Sequence, residues 1–516
     1  MKAIDLYSGT GGWSLGLKLN DIKVIKSFEI WEPAVKTSNK NFNRNDEATD
    51  IRKFDFRTIK DKVDIVVGSP PCTQFSYSNK GGSGDLDDGI IDLYKFFECV
   101  SILKPKFWAM ENVPRVKKVI FEESKFFGKL SEFSNIINNA YVEIFDLSEF
   151  GLPQKRKRCI ASNVDFALLN SYKERCKKKS LKDVLNSFKG PETKDINYAI
   201  SMAKEDIFDL EKEPNLNEIE IRKNLELKRN HFVYGKMSFP DDVNQPARTI
   251  MATCSRTSRE SILVKDKNNF RRLSLREKAT AQGFPINFNF YANSHSAKTK
   301  MIGNAIPPPF TYAVAAAMKG ISQEEFVPLE EISFKPLTNE LPKKTPPPKK
   351  TSFQKVFRYT SPGLNLGSQV RFDLSNKSEI FNFKFYYGNP KNIHSLNLDE
   401  KLYKALKTAL KNFKKVNIYF EKDSIPKNLI TSSSKLQKLW EKQSPKGPFK
   451  YLDDTDEQVR KVLMKLNEDE NFYSKILEGL FHDKKFVSEK IRINSKQIVA
   501  GLIVCSTLNK FGMKND

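Results

Sequence analysis

Short apolar runs recur through the first 165 residues, each followed by a mixed segment long enough for a helix. The runs are "KAIDLYS", "KVIKSFEI", "VDIVVGS", "PKFWAMENV", "YVEIFDLS" and "RKRCIASN". Strands alternating with helical stretches in this order predict an α/β fold with a doubly wound sheet. From about 166 to 268 the pattern loosens into a charged stretch, "KERCKKKSLKD", and much polar loop. This reads as a small lobe or an elaborated insertion. Helix signals return in "SLREKATAQGF" and "PPPFTYAVAAAMKGI", the second opening on proline and running through alanines. The chain is therefore expected to re-enter its first domain, which spans 1–165 and 269–325.

Residues 328–350 hold six prolines and end "PKKTPPPKK". That composition predicts an extended linker that uncouples the C-terminal part of the chain. Residues 351–516 then form a region of their own. The apolar strands "EIFNFKFYYG" and "VNIYFEKD" and the helical "LDEKLYKALKTALKNFKK" predict an α+β C-terminal domain.

Length and charge add a partner. A chain of 516 residues accommodates two to four domains. Its net charge of +24 points to a polyanion, nucleic acid first, although a lysine-rich and asparagine-rich composition also follows from genomic base bias. Between 351 and 450 there are 19 basic and 7 acidic residues, 19 − 7 = +12, whereas 451–516 carry 11 of each. No stretch approaches the ~20 apolar residues of a membrane helix and no signal-peptide core is visible at the N-terminus, so a soluble intracellular protein without membrane contact is expected. Six scattered cysteines without a CxxC spacing and four histidines support neither a disulfide framework nor a metal cluster.

That leaves the thiols to be judged singly, and Cys72 stands out. In "IVVGSPPCTQFS" a buried strand ends in glycine and two prolines directly before it. Proline fixes φ and restricts the residue before it. The thiol is either a positioned nucleophile or a buried cysteine in an ordinary strand-to-loop turn. Upstream, "AIDLYSGTGG" is a strand and glycine-rich turn leading into a helix, where Gly9 and Gly11 let backbone approach a ligand. The next strand ends at Glu29, placed to take ribose hydroxyls. Asp50 follows a third strand candidate, where it could accept from an exocyclic amine. The order favours an adenosine-containing cofactor.

Taken together, "DLYSGTGG", Glu29, Asp50, "GSPPCTQFS", "ENVP", "QKRKR", "RRLSLREKATAQGFP" and "GNAIPPPF" stand in the order found in DNA cytosine-5 methyltransferases. The chain resembles that family over residues 1 to about 320. The resemblance implies a Rossmann-like methyltransferase domain, S-adenosyl-L-methionine as methyl donor, and a target cytosine turned out of double-stranded DNA. It implies that Cys72 is the thiolate that adds to carbon 6 of the base, making carbon 5 nucleophilic. Glu111 resembles the acid at ring nitrogen 3, a role that needs the carboxyl protonated when the base is bound. Arg158 and Arg156 resemble the guanidinium groups holding the base carbonyl and the nucleophile loop, whereas Lys155 and Lys157 read as surface. No side chain stands out as the base that removes the carbon 5 proton, which leaves water. Tyr7, Gly9, Gly11, Glu29, Ile30, Asp50, Ile51 and Asn304 match the positions around the cofactor, with Ile30 and Ile51 flanking adenine or serving as core aliphatics.

Two positions depart from the family pattern. Thr73 follows the nucleophile where glutamine is common, with Gln74 next, and Ile90 stands where many relatives direct an arginine to the DNA backbone. Residues 166–268 are expected to be the target recognition region, with "SRTSRES" at 255–261 either supplying contacts or, as such a stretch more often does, forming a solvated loop. The resemblance also implies a prokaryotic modification system, a monomer at work in the cytoplasm on the nucleoid, and a separately encoded restriction endonuclease. Two other readings fit less well. A tRNA-modifying relative is expected to carry a Cys-Phe-Thr tripeptide, which this chain lacks, and a silent DNA-binding scaffold does not require intact Cys72, Glu111 and Arg158. A fused metal-dependent nuclease is disfavoured because Glu379 is at the wrong offset between Asp373 and Lys384.

Overall fold

The computed structural model describes residues 1–75, 85–230, 237–336 and 340–350, and the strand segments 364–365, 371–377, 380–387 and 394–398. All six expected strands form: β1 (Lys2–Leu6), β2 (Lys23–Phe28), β3 (Ile65–Gly68), β4 (Phe107–Asn112), β5 (Tyr141–Asp146) and β6 (Lys157–Ser162). They make one sheet in the order β2-β1-β3-β4-β6-β5. β1, β2, β3 and β4 pair in parallel, with Ala3 opposite Ile65 and Ile65 opposite Phe107. β6 runs antiparallel to both β4 and β5, so the sheet is mixed.

Alternation along each strand builds a core on each face. Ala3, Ile65, Val67, Ala109 and Ile160 enter one buried cluster with Trp13 and Phe310. Ile4, Leu6, Val66, Trp108, Met110 and Ala161 enter the other with Phe96 and Phe97. Helix α1 (Gly12–Lys18) covers the first face and α3 (Leu86–Leu103) the second, while α2 (Glu32–Phe42) follows β2 and α4 (Val116–Glu123) follows β4. The return of the chain is visible in packing. A Cβ on Gly16 would lie 2.2 Å from Thr311 Oγ1, so only glycine lets α1 sit this close to the helix Pro308–Met318. Thr311 Oγ1 donates to Gly12 O at 2.9 Å and Asn20 Nδ2 to Tyr312 O at 3.0 Å across the same contact.

The structure adds to four of these readings. No strand lies between β2 and Asp50. Asp50 instead caps a 3₁₀ turn over Ile51–Lys53, accepting from Arg52 N, as a short acceptor side chain does at a helix start. Ile90, the departure from the family's arginine, lies inside α3 and is buried in the second core. The break at residue 166 is not a break in packing, because Phe166, Leu169 and Tyr172 belong to the same core as β1 and β3.

The fourth concerns the proline-rich stretch, which is extended but docked rather than free. Phe334 is buried beside Phe42 and Phe288, Tyr291 Oη donates to Glu340 O at 2.6 Å, and Lys298 Nζ donates to Lys343 O at 3.0 Å. Backbone carbonyls supply these bonds, which is why a polar, proline-laden sequence gives no hydrophobic sign of them.

The chain divides into two compact units, Met1–Thr351 and Ser352–Asp516. Among the described residues of the second, four antiparallel strands stand in chain order, and the expected strand at 379–388 is Ile380–Tyr387. Asp373 is the register partner of Lys384. The expected helix at 398–415 and strand at 416–423 lie outside the described residues.

Candidate active site

Over its described residues, 69–75, the loop after β3 is held at several points. Ser69 N donates to Leu6 O at 3.1 Å, and Trp13 Nε1 donates to Ser69 Oγ at 3.1 Å. The buried side chain of Asn112 donates to Pro70 O at 3.0 Å, so β4 holds the first proline from the neighbouring strand. Beyond the thiol, Phe75 N bonds back to Cys72 O at 3.0 Å and its ring is fully buried. Gln74 ties the turn to the start of α3, donating to Asp88 Oδ2 at 3.0 Å and accepting from Asp85 N at 2.7 Å. Half-buried Cys72 is thus carried on a backbone with little freedom left.

Strand pairing brings the charged partners to it. Glu111 on β4 is opposite Ile160 on β6, and Arg158 two residues earlier reaches across, Nε to Glu111 Oε1 at 2.7 Å. The second Arg158 contact is Nη1 donating to Lys157 O at 2.8 Å. Burial raises the Cys72 thiol above its ordinary value and Glu111 adds to that, while Arg158 and Arg156 pull the other way. These four side chains share one electrostatic neighbourhood.

Arg156 is placed differently from Arg158. It is fully buried and its guanidinium donates to the carbonyls of Ile250 (3.3 Å), Gly303 (2.9 Å) and Ala305 (3.3 Å). Burial, then Arg158, lowers it to about 9, with Glu111 and Cys72 opposing. It clasps the loops at 250 and 303–305 to the foot of β6. Lys155 and Lys157 are exposed, as expected of a surface run.

At the glycine-rich turn, Gly9 and Gly11 both adopt positive φ, +54° and +95°. Glu29 bridges the turn, accepting from Gly9 N at 3.0 Å and Trp31 N at 2.8 Å, and burial raises its carboxyl. Nothing lies within 4 Å of the Cβ position of Gly9. Beside it, Ser8 Oγ, Thr10 Oγ1 and Asp5 Oδ1 are buried without a hydrogen-bond partner. Ile30 is 64% exposed, an apolar side chain with an open face, and Asn304 is exposed at the end of the helix His295–Asn304. Asp50 is half-buried. Ile51 is only 5% exposed and packs in the second core. Tyr7 has φ 52° and bonds through its hydroxyl to Asp92 Oδ1 at 3.1 Å, fixing the turn to α3.

Residues 1–320 match the family of C-5 cytosine-specific DNA methylases. The chain belongs to that family. It is a DNA cytosine-5 methyltransferase on that ground. A type II methyltransferase of Lactococcus lactis subsp. cremoris, M1.ScrFI, is 29% identical over 328 residues, 61% of this chain and 77% of the relative. M.FnuDI of Fusobacterium nucleatum is 29% identical over 352 residues, 62% and 94%. The solved structure of S. pombe Dnmt2 methyltransferase superimposes with a TM-score of 0.43 at 14% identity, covering 62% of this chain and 98% of that one.

The methylase's second charged cluster lies under "SRTSRES" and corrects its reading. Arg256 is buried and paired with Glu220, Nε to Oε1 at 2.7 Å, and with the carbonyls of Pro214 and Asn215. It is not available to DNA. Glu213 anchors the same region, meeting Arg272 at 2.7 Å and Lys278 at 3.0 Å. Although burial opposes it, those cations hold the Glu213 carboxyl down to about 2. Buried ion pairs of this kind fix geometry more than they stabilise.

Sequence reasoning missed Asn112, Gln74 and Gln154 as positioning residues. Gln154, fully buried, accepts from Ile250 N at 2.9 Å and donates to Gln282 Oε1 at 2.7 Å. All three sit inside quoted motifs, but an amide side chain can bond to any backbone, so its partners are legible only in three dimensions. Among the described residues no group of side chains could hold a metal ion and no helix is long and apolar enough to cross a membrane.

Proposed function

We propose that the protein transfers a methyl group from S-adenosyl-L-methionine to carbon 5 of a cytosine turned out of double-stranded DNA, through a covalent bond from Cys72 to carbon 6. The observation that supports this reading is that Cys72, on a loop held by Asn112, shares one electrostatic field with Glu111 of β4 and Arg158 of β6. Cys72 as thiolate attacks carbon 6, and the ring electrons move toward nitrogen 3, where Glu111 delivers a proton. Arg158 holds the base carbonyl oxygen and the Glu111 carboxyl together. Carbon 5 would take the methyl group from the donor's sulfonium, which is left as a thioether; carbon 5 then loses its proton to water, nitrogen 3 returns its proton to Glu111, and the carbon–sulfur bond to Cys72 breaks to return the thiolate.

The unpartnered Ser8 and Thr10 hydroxyls and the open position at Gly9 fit a ligand with polar groups closely applied to the turn. S-adenosyl-L-methionine supplies an electrophilic methyl on sulfur when bound. Tyr7, Gly9, Gly11, Glu29, Ile30, Asp50 and Asn304 would hold it, Glu29 releasing Gly9 N to take ribose hydroxyls, with Ile51 backing Ile30. The remaining surface of the recognition region, within 166–268, would read the target bases, and residues 351–516 would be an accessory domain. As its relatives are named type II methyltransferases, the chain would act in a prokaryotic cytoplasm, as a monomer and beside a separate endonuclease. Bisulfite sequencing of DNA from cells expressing the protein tests the reading. Protected cytosines at one repeated sequence are expected, and their absence would reject it.

A further inference from the structure

The turn that follows α4 presents two phenylalanines to solvent where the fold gives no reason for them. Phe126 is 85% exposed and Phe127 is 95% exposed, their rings edge to face at 4.8 Å. Adjacent aromatic side chains this open are unusual on a soluble surface and mark an interaction site when grouped.

The turn that carries them is built. Gly128 N donates to Lys125 O at 2.8 Å, Leu130 N to Glu123 O at 2.9 Å and Lys129 N to Glu123 Oε2 at 3.0 Å. A Cβ on Gly128 would lie 2.0 Å from Glu123 O, so the turn closes only over glycine. Its position is fixed too. Lys129 Nζ meets Asp87 Oδ1 at 3.0 Å in the first turn of α3, and Phe133 packs against Tyr94 one layer further along that helix. The neighbouring Asp88 is the residue held by Gln74 of the Cys72 turn. The aromatic pair therefore borders the same end of α3 as the nucleophile.

Charge chooses the occupant. Residues 115–129 carry five basic and two acidic side chains, 5 − 2 = +3. Of the two acids, Glu122 faces Lys118 at 3.4 Å and Glu123 is engaged in the turn. We propose that Phe126 and Phe127 form a contact for the duplex flanking the target, their rings stacking on or wedging into the base stack while Lys117 and Lys125, rather than Lys118 and Lys129 with their carboxylate partners, meet phosphates. This rests on DNA lying over Cys72 as proposed above.

The test uses the full chain and its double variant Phe126→Ser with Phe127→Ser, which removes exposed rings and touches no core. Affinity for a long duplex carrying the methylated sequence, and for one ending at the target pair, is measured by fluorescence anisotropy at several salt concentrations. Loss of about tenfold or more on the long duplex is expected, with little change on the short one. The salt slope should be retained, because apolar rings release no counterions. Equal affinities on the long duplex would overturn the proposal. So would a wild-type dimer in sedimentation that the variant abolishes, which would make the pair a contact between copies of this chain. Wild-type methylation and its dependence on Cys72, measured alongside, fail separately if the active-site reading is at fault.

Discussion

Arg158 Nε donates to Glu111 Oε1 at 2.7 Å, and the Cys72 thiol feels both. The carboxylate holds the proton on sulfur and the guanidinium pulls it off. With burial the larger influence, the free protein keeps a thiol. Under the proposed mechanism, a base that neutralises Glu111 would withdraw one restraint on Cys72 when the thiolate is needed.

This coupling predicts opposite effects from Glu111→Gln. Methyl transfer should slow by roughly 10² to 10⁴ through loss of the acid. Alkylation of Cys72 by iodoacetamide at neutral pH should speed up, since the charge holding the thiol protonated is gone and Arg158 is released toward it. In the wild type that alkylation should stay slow until pH passes above the ordinary thiol range of about 8.5. Peptide mass spectrometry of the alkylated site checks both, and slower alkylation in the variant would remove the coupling.

Cys72→Ser should abolish methyl transfer while leaving S-adenosyl-L-methionine affinity within a few fold, because a serine hydroxyl is a far weaker nucleophile of nearly the same shape. Duplexes with 5-fluorocytosine at the target should trap wild-type protein covalently and fail to trap the variant, as read on a denaturing gel.

The two arginines of "QKRKR" should separate stability from chemistry. Arg156→Met leaves three buried carbonyls without their donor and should lower the unfolding free energy by about 2 to 4 kcal/mol. Arg158→Met should leave the melting temperature closer to wild type and stop turnover. A calorimetric scan beside a methylation assay distinguishes them, and equal destabilisation would assign Arg158 the same clasping role.

The contrast between these neighbours shows where sequence reading ends. Six strands and the helix Pro308–Met318 were legible because apolar periodicity directly encodes burial. The direction of β6 was not, since alternation is the same read either way. Nor were the different surroundings of Arg156 and Arg158: carbonyls arriving from residues 250 and 303–305 enclose the first, while the second meets the Glu111 carboxylate. Arg256 misled for the converse reason: its partners Glu213 and Glu220 are 43 and 36 residues away, so a buried charge cluster looked like a basic loop.

Asp5 gives a prediction in pH. Burial raises its carboxyl to about 7, opposed by Ser14 and Arg44. Unfolded, the group titrates near 4, so between about pH 4 and 7 the native state binds a proton that the unfolded chain has lost. This group's contribution to stability is therefore present at low pH and lost as pH rises through that window. Asp5→Asn mimics the protonated form throughout. Its stability relative to wild type should climb from about pH 4 to about pH 7 and then level off in urea titrations; a flat difference would mean that Asp5 ionises normally.

The docked proline-rich stretch changes how the C-terminal unit should be removed. A chain ending at residue 330 loses Phe334 from the core it shares with Phe42 and Phe288, together with the carbonyls held by Tyr291 and Lys298. Burying one phenylalanine contributes about 1.5 to 3 kcal/mol, so this fragment should melt roughly 4 °C or more below one ending at Thr351. Comparison of DNA binding must then use the longer fragment, whose methyltransferase unit is whole. With +12 on residues 351–450, the full chain should show a steeper fall of log affinity with log salt than residues 1–351, by about 0.9 for each phosphate that the C-terminal unit neutralises. Equal slopes would make residues 352–516 a protein-docking unit instead. A lower melting point for the fragment ending at 351 than for the one ending at 330 would show that the stretch is no part of the methyltransferase fold.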